Sequence, residues 1–171
     1  MNSMLPKKTV DLAARVIAEN RALGRTISVA ESCTGGLVCA ALTEVPGSSA
    51  VLQYGYVTYG NDAKMQTLGV SSELLETFGA VSIAVAWAMA QGALKKSGAD
   101  IAIAISGVAG PAGGSEQKPI GTVVFAVAEK GKNSEDVLAG RENFGAELSR
   151  ADVRMAATMH ALALLLPNAA A

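Results

Sequence analysis

The stretch from Asp100 to Ser106 (DIAIAIS) constrains this 171-residue chain more than any other. Positions 101–105 are apolar without a polar alternation. Such a run is read as a strand covered on both faces, the pattern of an inner strand in a sheet flanked by helices. Before it lies VSIAVAWAMAQGALKKSG (81–98), predicted as a helix capped by Ser82 and stopped at Gly98. After it comes Ser106-Gly107-Val108-Ala109-Gly110-Pro111-Ala112-Gly113-Gly114, a glycine-rich loop. A helix, a buried strand and a loop at the strand's carboxyl end make up one unit of an α/β layer.

The rest of the chain repeats the alternation. Apolar residues at 10, 12, 13, 16, 17 and 23 predict a helix over 9–23 with Gly24 as its terminator. Thr26–Ala30 is β-branched enough for a strand, and Glu31-Ser32-Cys33-Thr34-Gly35-Gly36 then leads into a helix at LVCAALTEV (37–45). A turn at Pro46–Ser49 precedes a strand over Ala50–Tyr59. Asn61–Leu68 is a short helical turn carrying Lys64, and Ser71 caps a further helix. Gly121–Glu129 and Glu135–Phe144 are expected to pair as a hairpin through Gly131-Lys132-Asn133, and 146–166 to close the chain as a helix. With no repeat or composition shift, 1–171 is expected to be one domain. It has a 9–166 core and short tails, frayed from Pro167 through Asn168 to Ala171. The expected fold is a three-layer α/β/α sandwich around a mixed, mostly parallel sheet of about five strands.

Composition narrows the chemistry. Alanine supplies 32 residues and glycine 18, while aromatics are 4%. Small side chains suit close helix–sheet contacts but give no stacking platform for bases. Lys+Arg number 14 against 15 Asp+Glu, with no basic block, which argues against a nucleic-acid surface. No apolar stretch is long enough to cross a bilayer, and MNSMLPKKTV at the start lacks the apolar core of a signal peptide, so a cytoplasmic protein is expected. Cys33 and Cys39 would lie roughly 240° apart on a helix and would not pair. With His160 they are too few for a zinc site, and His160 is read as a packing or surface residue. No metal or cofactor is expected.

In an α/β sheet, ligands collect at the carboxyl ends of the strands. Two glycine-containing loops fall there, after Ala30 and after Ser106. In the first, Ser32 or Thr34 is either a helix cap or part of a site where a nucleophile meets free N–H groups. Cys33 is a rival nucleophile that would need a base such as histidine. Lys64 is either a solvated surface lysine or a base for Ser32. Its ordinary pKa of about 10.4 would have to fall for the second role. Tyr59 could hydrogen-bond either partner. The Ser106–Gly114 loop is either a flexible connection or an anion-binding nest, and it matches neither a P-loop nor a dinucleotide fingerprint. Arg141, Arg150 and Arg154 could add bonds to a phosphate.

Taken in order, AESCTGGL (30–37), PGSS (46–49), YVTYGNDAK (56–64), LGV (68–70), GAVS (79–82), MAQGAL (89–94), SGVAGPAGG (106–114) and KPIGTVVFA (118–126) closely resemble the CinA C-terminal domain family, the nicotinamide-nucleotide amidases (PncC), in its stand-alone form. The resemblance implies a five-stranded mixed sheet and hydrolysis of nicotinamide mononucleotide to nicotinate mononucleotide and ammonia, a salvage step of pyridine nucleotide metabolism. It implies Ser32 as nucleophile, Lys64 as catalytic lysine and Tyr59 beside both. Cys33, Thr34, Gly35 and Gly36 would line the substrate in the serine loop, and Ser106, Gly107, Ala109 and Gly110 in the second loop. Arg150 is a candidate phosphate ligand, although the Gly-Asp that often precedes it in the family is Leu148-Ser149 here. A homo-oligomer is expected by analogy. The expected mechanism has Lys64 deprotonate Ser32 while N–H groups near Thr34–Gly36 hold the oxyanion. The alternatives are a non-catalytic nucleotide-binding or interaction module of the same family and an amidase that uses Cys33.

Overall fold

The computed structural model describes residues 3–167. Its helices are α1 (Lys7–Ala22), α2 (Leu37–Thr43), α3 (Asn61–Leu68), α4 (Ser72–Phe78), α5 (Ile83–Ser97) and α6 (Arg150–Leu164). The strands are β1 (Ile27–Glu31), β2 (Leu52–Val57), β3 (Ile101–Gly107), β4 (Thr122–Glu129) and β5 (Leu138–Asn143). They form one sheet in the order β2-β1-β3-β4-β5. The β2–β1 and β1–β3 pairs are parallel, and the β3–β4 and β4–β5 pairs antiparallel. The sheet is mixed as expected, with β4 alone running against the other strands.

The apolar run predicted as β3 is buried from Ile101 through Ser106. Its alternate residues serve two cores. Ile101, Ile103 and Ile105 pack with residues of α1, α2 and α6 on one face. Ala102 and Ala104 meet Val85, Ala86, Met89 and Ala90 of α5 on the other, together with Leu68 at the end of α3. Alanine on that second face lets α5 lie close to the strands. Ser71 and Ser82 accept the N–H groups of Leu74 and Val85, and Gly98 ends α5 at φ +68°, the caps the sequence predicts.

Several elements are shorter than the sequence suggests, and α2 ends at Thr43 rather than at 45. Ala50 belongs to a 3₁₀ turn (Ser48–Ala50), so β2 starts at Leu52. Glu135 and Asp136 form a second such turn (Ser134–Asp136), which leaves β5 only Leu138–Asn143. The last helix begins at Arg150 rather than 146, because Ser149 caps it by accepting the Asp152 N–H and Gly145 sits at φ +105°. Of the expected frayed tail, residues 168–171 lie outside the described part.

The sheet also fixes which loops meet. Asp100 accepts from the N–H (2.8 Å) and hydroxyl (2.7 Å) of Thr26, tying the start of β3 to the start of β1. From there Ile27 pairs with Ile101 and Glu31 with Ile105. β1 therefore ends opposite Ile105, two residues before the end of β3, and the two loops leave the same edge of the sheet side by side.

Candidate active site

Ser32 follows β1 directly, and its N–H donates to the Ile105 carbonyl of β3 at 2.9 Å. The serine is 8% exposed. On the far side of β1, β2 ends at Val57 and the chain turns through Thr58 and Tyr59 into α3. The fourth residue of α3 is Lys64, and it is 1% exposed. This burial rules out the solvated surface lysine. Its Nζ donates to the carbonyls of Thr58 (2.8 Å) and Tyr59 (3.1 Å) and lies 3.3 Å from Ser32 Oγ. Burial lowers the Lys64 pKa from its ordinary 10.5, and the nearby Cys33 opposes that shift. A neutral amine has two hydrogens and one lone pair. Two carbonyls take the hydrogens, so the lone pair is left for the serine hydroxyl.

Tyr59 stands differently from its expected place. It reaches the lysine through its backbone carbonyl, while the residue as a whole is 57% exposed and its phenol accepts from Arg150 Nη2 at 2.7 Å. Arg150 Nη1 donates to the Gly110 carbonyl at 2.7 Å. The arginine thus bridges the β2–α3 turn and the glycine-rich loop. In that loop the N–H groups of Ala109, Gly110, Ala112, Gly113 and Gly114 have no acceptor among the described residues. Ser106 is buried, and its hydroxyl donates to the Ala80 carbonyl at 2.8 Å. Gly107 lies against the serine loop, where a Cβ would sit 3.1 Å from Cys33 Sγ and 2.9 Å from the Thr122 carbonyl oxygen.

Cys33 is a poor nucleophile here. Burial pushes its thiol up to about 11, and the Glu31 carboxylate adds to the rise. The histidine it would need is elsewhere, with the His160 ring packed 4.6 Å from that of Phe125. Both cysteines are free thiols, and Cys33 lies in the loop before α2 rather than on the helix. Among the described residues no group of three or more His, Cys, Asp or Glu could hold a metal.

Glu31, to which the sequence assigns no role, and Arg154, read there as a possible phosphate ligand, shape the serine loop. Glu31, the last residue of β1, is fully buried. Its carboxylate accepts the N–H groups of Gly36 (2.9 Å), Cys39 (3.0 Å) and Val38 (3.3 Å). Gly36 holds the N-cap position at φ +97° and has no side chain for the task, so Glu31 caps α2 from within the sheet. Arg154 of α6 donates through Nε to the Cys33 carbonyl (3.1 Å) and through Nη2 to the Thr34 carbonyl (2.9 Å). The Gly35 N–H is also used, donating to the Ser32 carbonyl at 3.0 Å. These bonds correct the expected oxyanion donors, because Gly35 and Gly36 are occupied. The N–H groups of Cys33 and Thr34 have no oxygen acceptor among the described residues. Thr34 is buried, with no hydrogen-bond partner for its hydroxyl there. An acidic residue closing an apolar strand just before a helix is the sequence signal that marks Glu31.

The geometry defines an α/β/α domain with a serine hydroxyl against a buried lysine amine at the carboxyl ends of its parallel strands. The chain belongs to the CinA C-terminal domain family, whose sequence model matches residues 9–168. It is 46% identical over 163 residues to the nicotinamide-nucleotide amidohydrolase PncC of Escherichia coli, covering 95% of each chain. It is 53% identical over 131 residues to a CinA-like protein of Chlorobium limicola, but these span 77% of this chain and only 29% of that longer one. The crystal structure of competence/damage inducible protein CihA from Agrobacterium tumefaciens superposes with a TM-score of 0.91 at 47% identity, covering 96% of this chain and 97% of that one. No helix among the described residues is long and apolar enough to cross a membrane.

Proposed function

We propose that this domain is an amidohydrolase that converts nicotinamide mononucleotide to nicotinate mononucleotide and ammonia through Ser32 and Lys64. The observation that carries the reading is the buried Lys64 amine, 3.3 Å from Ser32 Oγ with its pKa lowered by burial. The similarity to nicotinamide-nucleotide amidohydrolases along nearly the full length of both chains supports the substrate.

Lys64, neutral, takes the Ser32 proton as Oγ attacks the carboxamide carbon. The N–H groups of Cys33 and Thr34 receive the oxyanion. The tetrahedral adduct collapses, the C–N bond breaks, and the Lys64 proton goes to the departing ammonia. Water then attacks the acyl ester, with Lys64 again as base, and releases the carboxylate product and Ser32. The free N–H groups of the 109–114 loop and the Arg150 guanidinium suit the phosphate, which would compete with Tyr59 and Gly110 for the arginine. This reaction needs no metal or organic cofactor. It belongs to pyridine nucleotide salvage in the cytoplasm, where two free thiols stay reduced. A homo-oligomer is supported by the half-exposed Tyr54 and Val57 on the uncharged edge strand β2.

Ammonia release from nicotinamide mononucleotide tests the assignment. Wild type turns over, Ser32→Ala and Lys64→Met lose activity by about 100-fold or more, and Cys33→Ala keeps it. A wild type without turnover contradicts the function. A loss confined to Cys33→Ala contradicts the mechanism.

A further inference from the structure

We propose that Arg154 is a positioning residue that sets the oxyanion donors by fixing the orientation of two consecutive peptide planes. The inference rests on the amidohydrolase reading above and concerns a residue that does no chemistry itself.

In a trans peptide, the carbonyl of one residue and the N–H of the next share a plane and point in opposite directions. The Cys33 carbonyl and the Thr34 N–H are one such pair. Arg154 Nε holds the Cys33 carbonyl at 3.1 Å, so the Thr34 N–H points away from the guanidinium. The Thr34 carbonyl, held by Nη2 at 2.9 Å, shares its plane with the Gly35 N–H. That N–H turns back to the Ser32 carbonyl at 3.0 Å. The Ser32 carbonyl in turn shares its plane with the Cys33 N–H. One guanidinium and one turn bond therefore fix the direction of the two donors that have no oxygen acceptor, those of Cys33 and Thr34, which lie against the Cys33 sulfur.

The loop's other end is fixed independently. The Glu31 carboxylate takes the N–H groups of Gly36, Val38 and Cys39, so the first turn of α2 has no donors to lend and cannot pull the loop toward itself. Without Arg154, the 33–34 plane is free to flip. A flip would present the Cys33 carbonyl oxygen, not the Thr34 N–H, to a developing negative charge. The guanidinium lies directly against the loop, since a Cβ at Gly35 would be in van der Waals contact with Arg154 Nη2 at 3.4 Å. Thr158 of α6 donates to the Arg154 carbonyl at 2.8 Å and adds a side-chain bond to the turn of α6 that carries the arginine.

When Ser32 Oγ bonds to the carboxamide carbon, the C=O π pair moves onto oxygen, and donors aimed there act on the transition state more than on bound substrate. Arg154→Met is thus expected to lower kcat by about 10- to 100-fold with KM little changed. Removing an oxyanion donor outright costs roughly 100- to 1,000-fold. Arg154→Lys, which can reach one carbonyl, falls between and covers the case in which the methionine variant does not fold. The decisive readout compares the carboxamide with the thiocarboxamide of the same nucleotide, because sulfur accepts hydrogen bonds weakly. In wild type the thio substrate is much the slower. In the Arg154 variants the amide is slowed more than the thioamide, and the amide-to-thioamide ratio falls toward one. An arginine that merely stabilises the fold would slow both substrates equally and leave the ratio at its wild-type value. That result, or undiminished turnover of the amide, overturns the proposal while leaving the amidase reading intact. A wild type inert toward the amide overturns both.

Discussion

Gly92, in the middle of α5, separates two opposing expectations. On helix propensity alone, Gly92→Ala should stabilise the domain by about 1 kcal/mol. The tertiary contact predicts the reverse. An added Cβ would lie 2.0 Å from the Leu68 carbonyl oxygen and 2.9 Å from its carbonyl carbon. Leu68 ends α3, four residues after Lys64. An ordinary carbon–oxygen contact needs about 3.3 Å, so α3 and α5 must part by roughly 1 Å. The opposing atoms are backbone and cannot rotate aside. Overpacking of this kind costs about 1–3 kcal/mol. Set against the propensity gain, the variant should come out up to about 2 kcal/mol less stable, and no more stable than wild type. For an m-value near 2 kcal/mol/M, its urea midpoint then falls by up to about 1 M. The same displacement moves Lys64 relative to Ser32, and a shift of about 1 Å can cost roughly 100-fold in turnover. Urea unfolding and ammonia release on one preparation measure both effects. A variant that is more stable than wild type and fully active would refute the claim that this contact seats Lys64.

Glu31→Ala leaves three N–H groups at the start of α2 without an acceptor, that of Val38 buried and those of Gly36 and Cys39 half-buried, at up to about 1–3 kcal/mol each before relaxation. Chemical denaturation should show a loss of roughly 3–5 kcal/mol, and a loss below about 1 kcal/mol would mean that the carboxylate does not cap the helix. The pH dependence of Lys64 has a definite sign. Its folded pKa lies below 10.5, so between that lowered value and 10.5 the unfolded chain binds the extra proton. In that window stability rises with pH, and the penalty is complete below the folded pKa. Lys64→Met should flatten this part of the stability profile, and an unchanged slope would place the titration on another group. Wild-type kcat/KM should rise with pH and level off once the Lys64 amine is neutral, and a rate that falls through that range would contradict its role as base.

Much of this architecture can be read from local pattern. The unbroken apolar run of β3, the Ser82 and Gly98 ends of α5 and the boundaries of α3 are set by neighbouring residues, and the structure has them nearly where the sequence does. The shortened β5 escaped because Glu135 and Asp136 suit a turn as readily as a charged edge strand. The site divides along the same line. Motifs bring out Ser32 and Lys64, but the burial of Lys64 depends on the packing of α3 against the sheet and α5. The role of Tyr59 escaped because the atom beside the lysine is its carbonyl oxygen, which residue identity does not encode. The occupied N–H groups of Gly35 and Gly36, the Arg154 contacts 120 and 121 residues away in sequence, and the Arg150–Tyr59 bond across 91 residues all arise from tertiary contacts.

The central claim is that Ser32 carries the acyl group and Lys64 makes it reactive. The most direct measurement is rapid quenching of the protein during turnover of nicotinamide mononucleotide, followed by mass mapping of its peptides. The account predicts a nicotinoyl-type ester on Ser32 in wild type, absent in Ser32→Ala and formed far more slowly in Lys64→Met. An adduct on Cys33, or ammonia release at full rate with Ser32 removed, would contradict it.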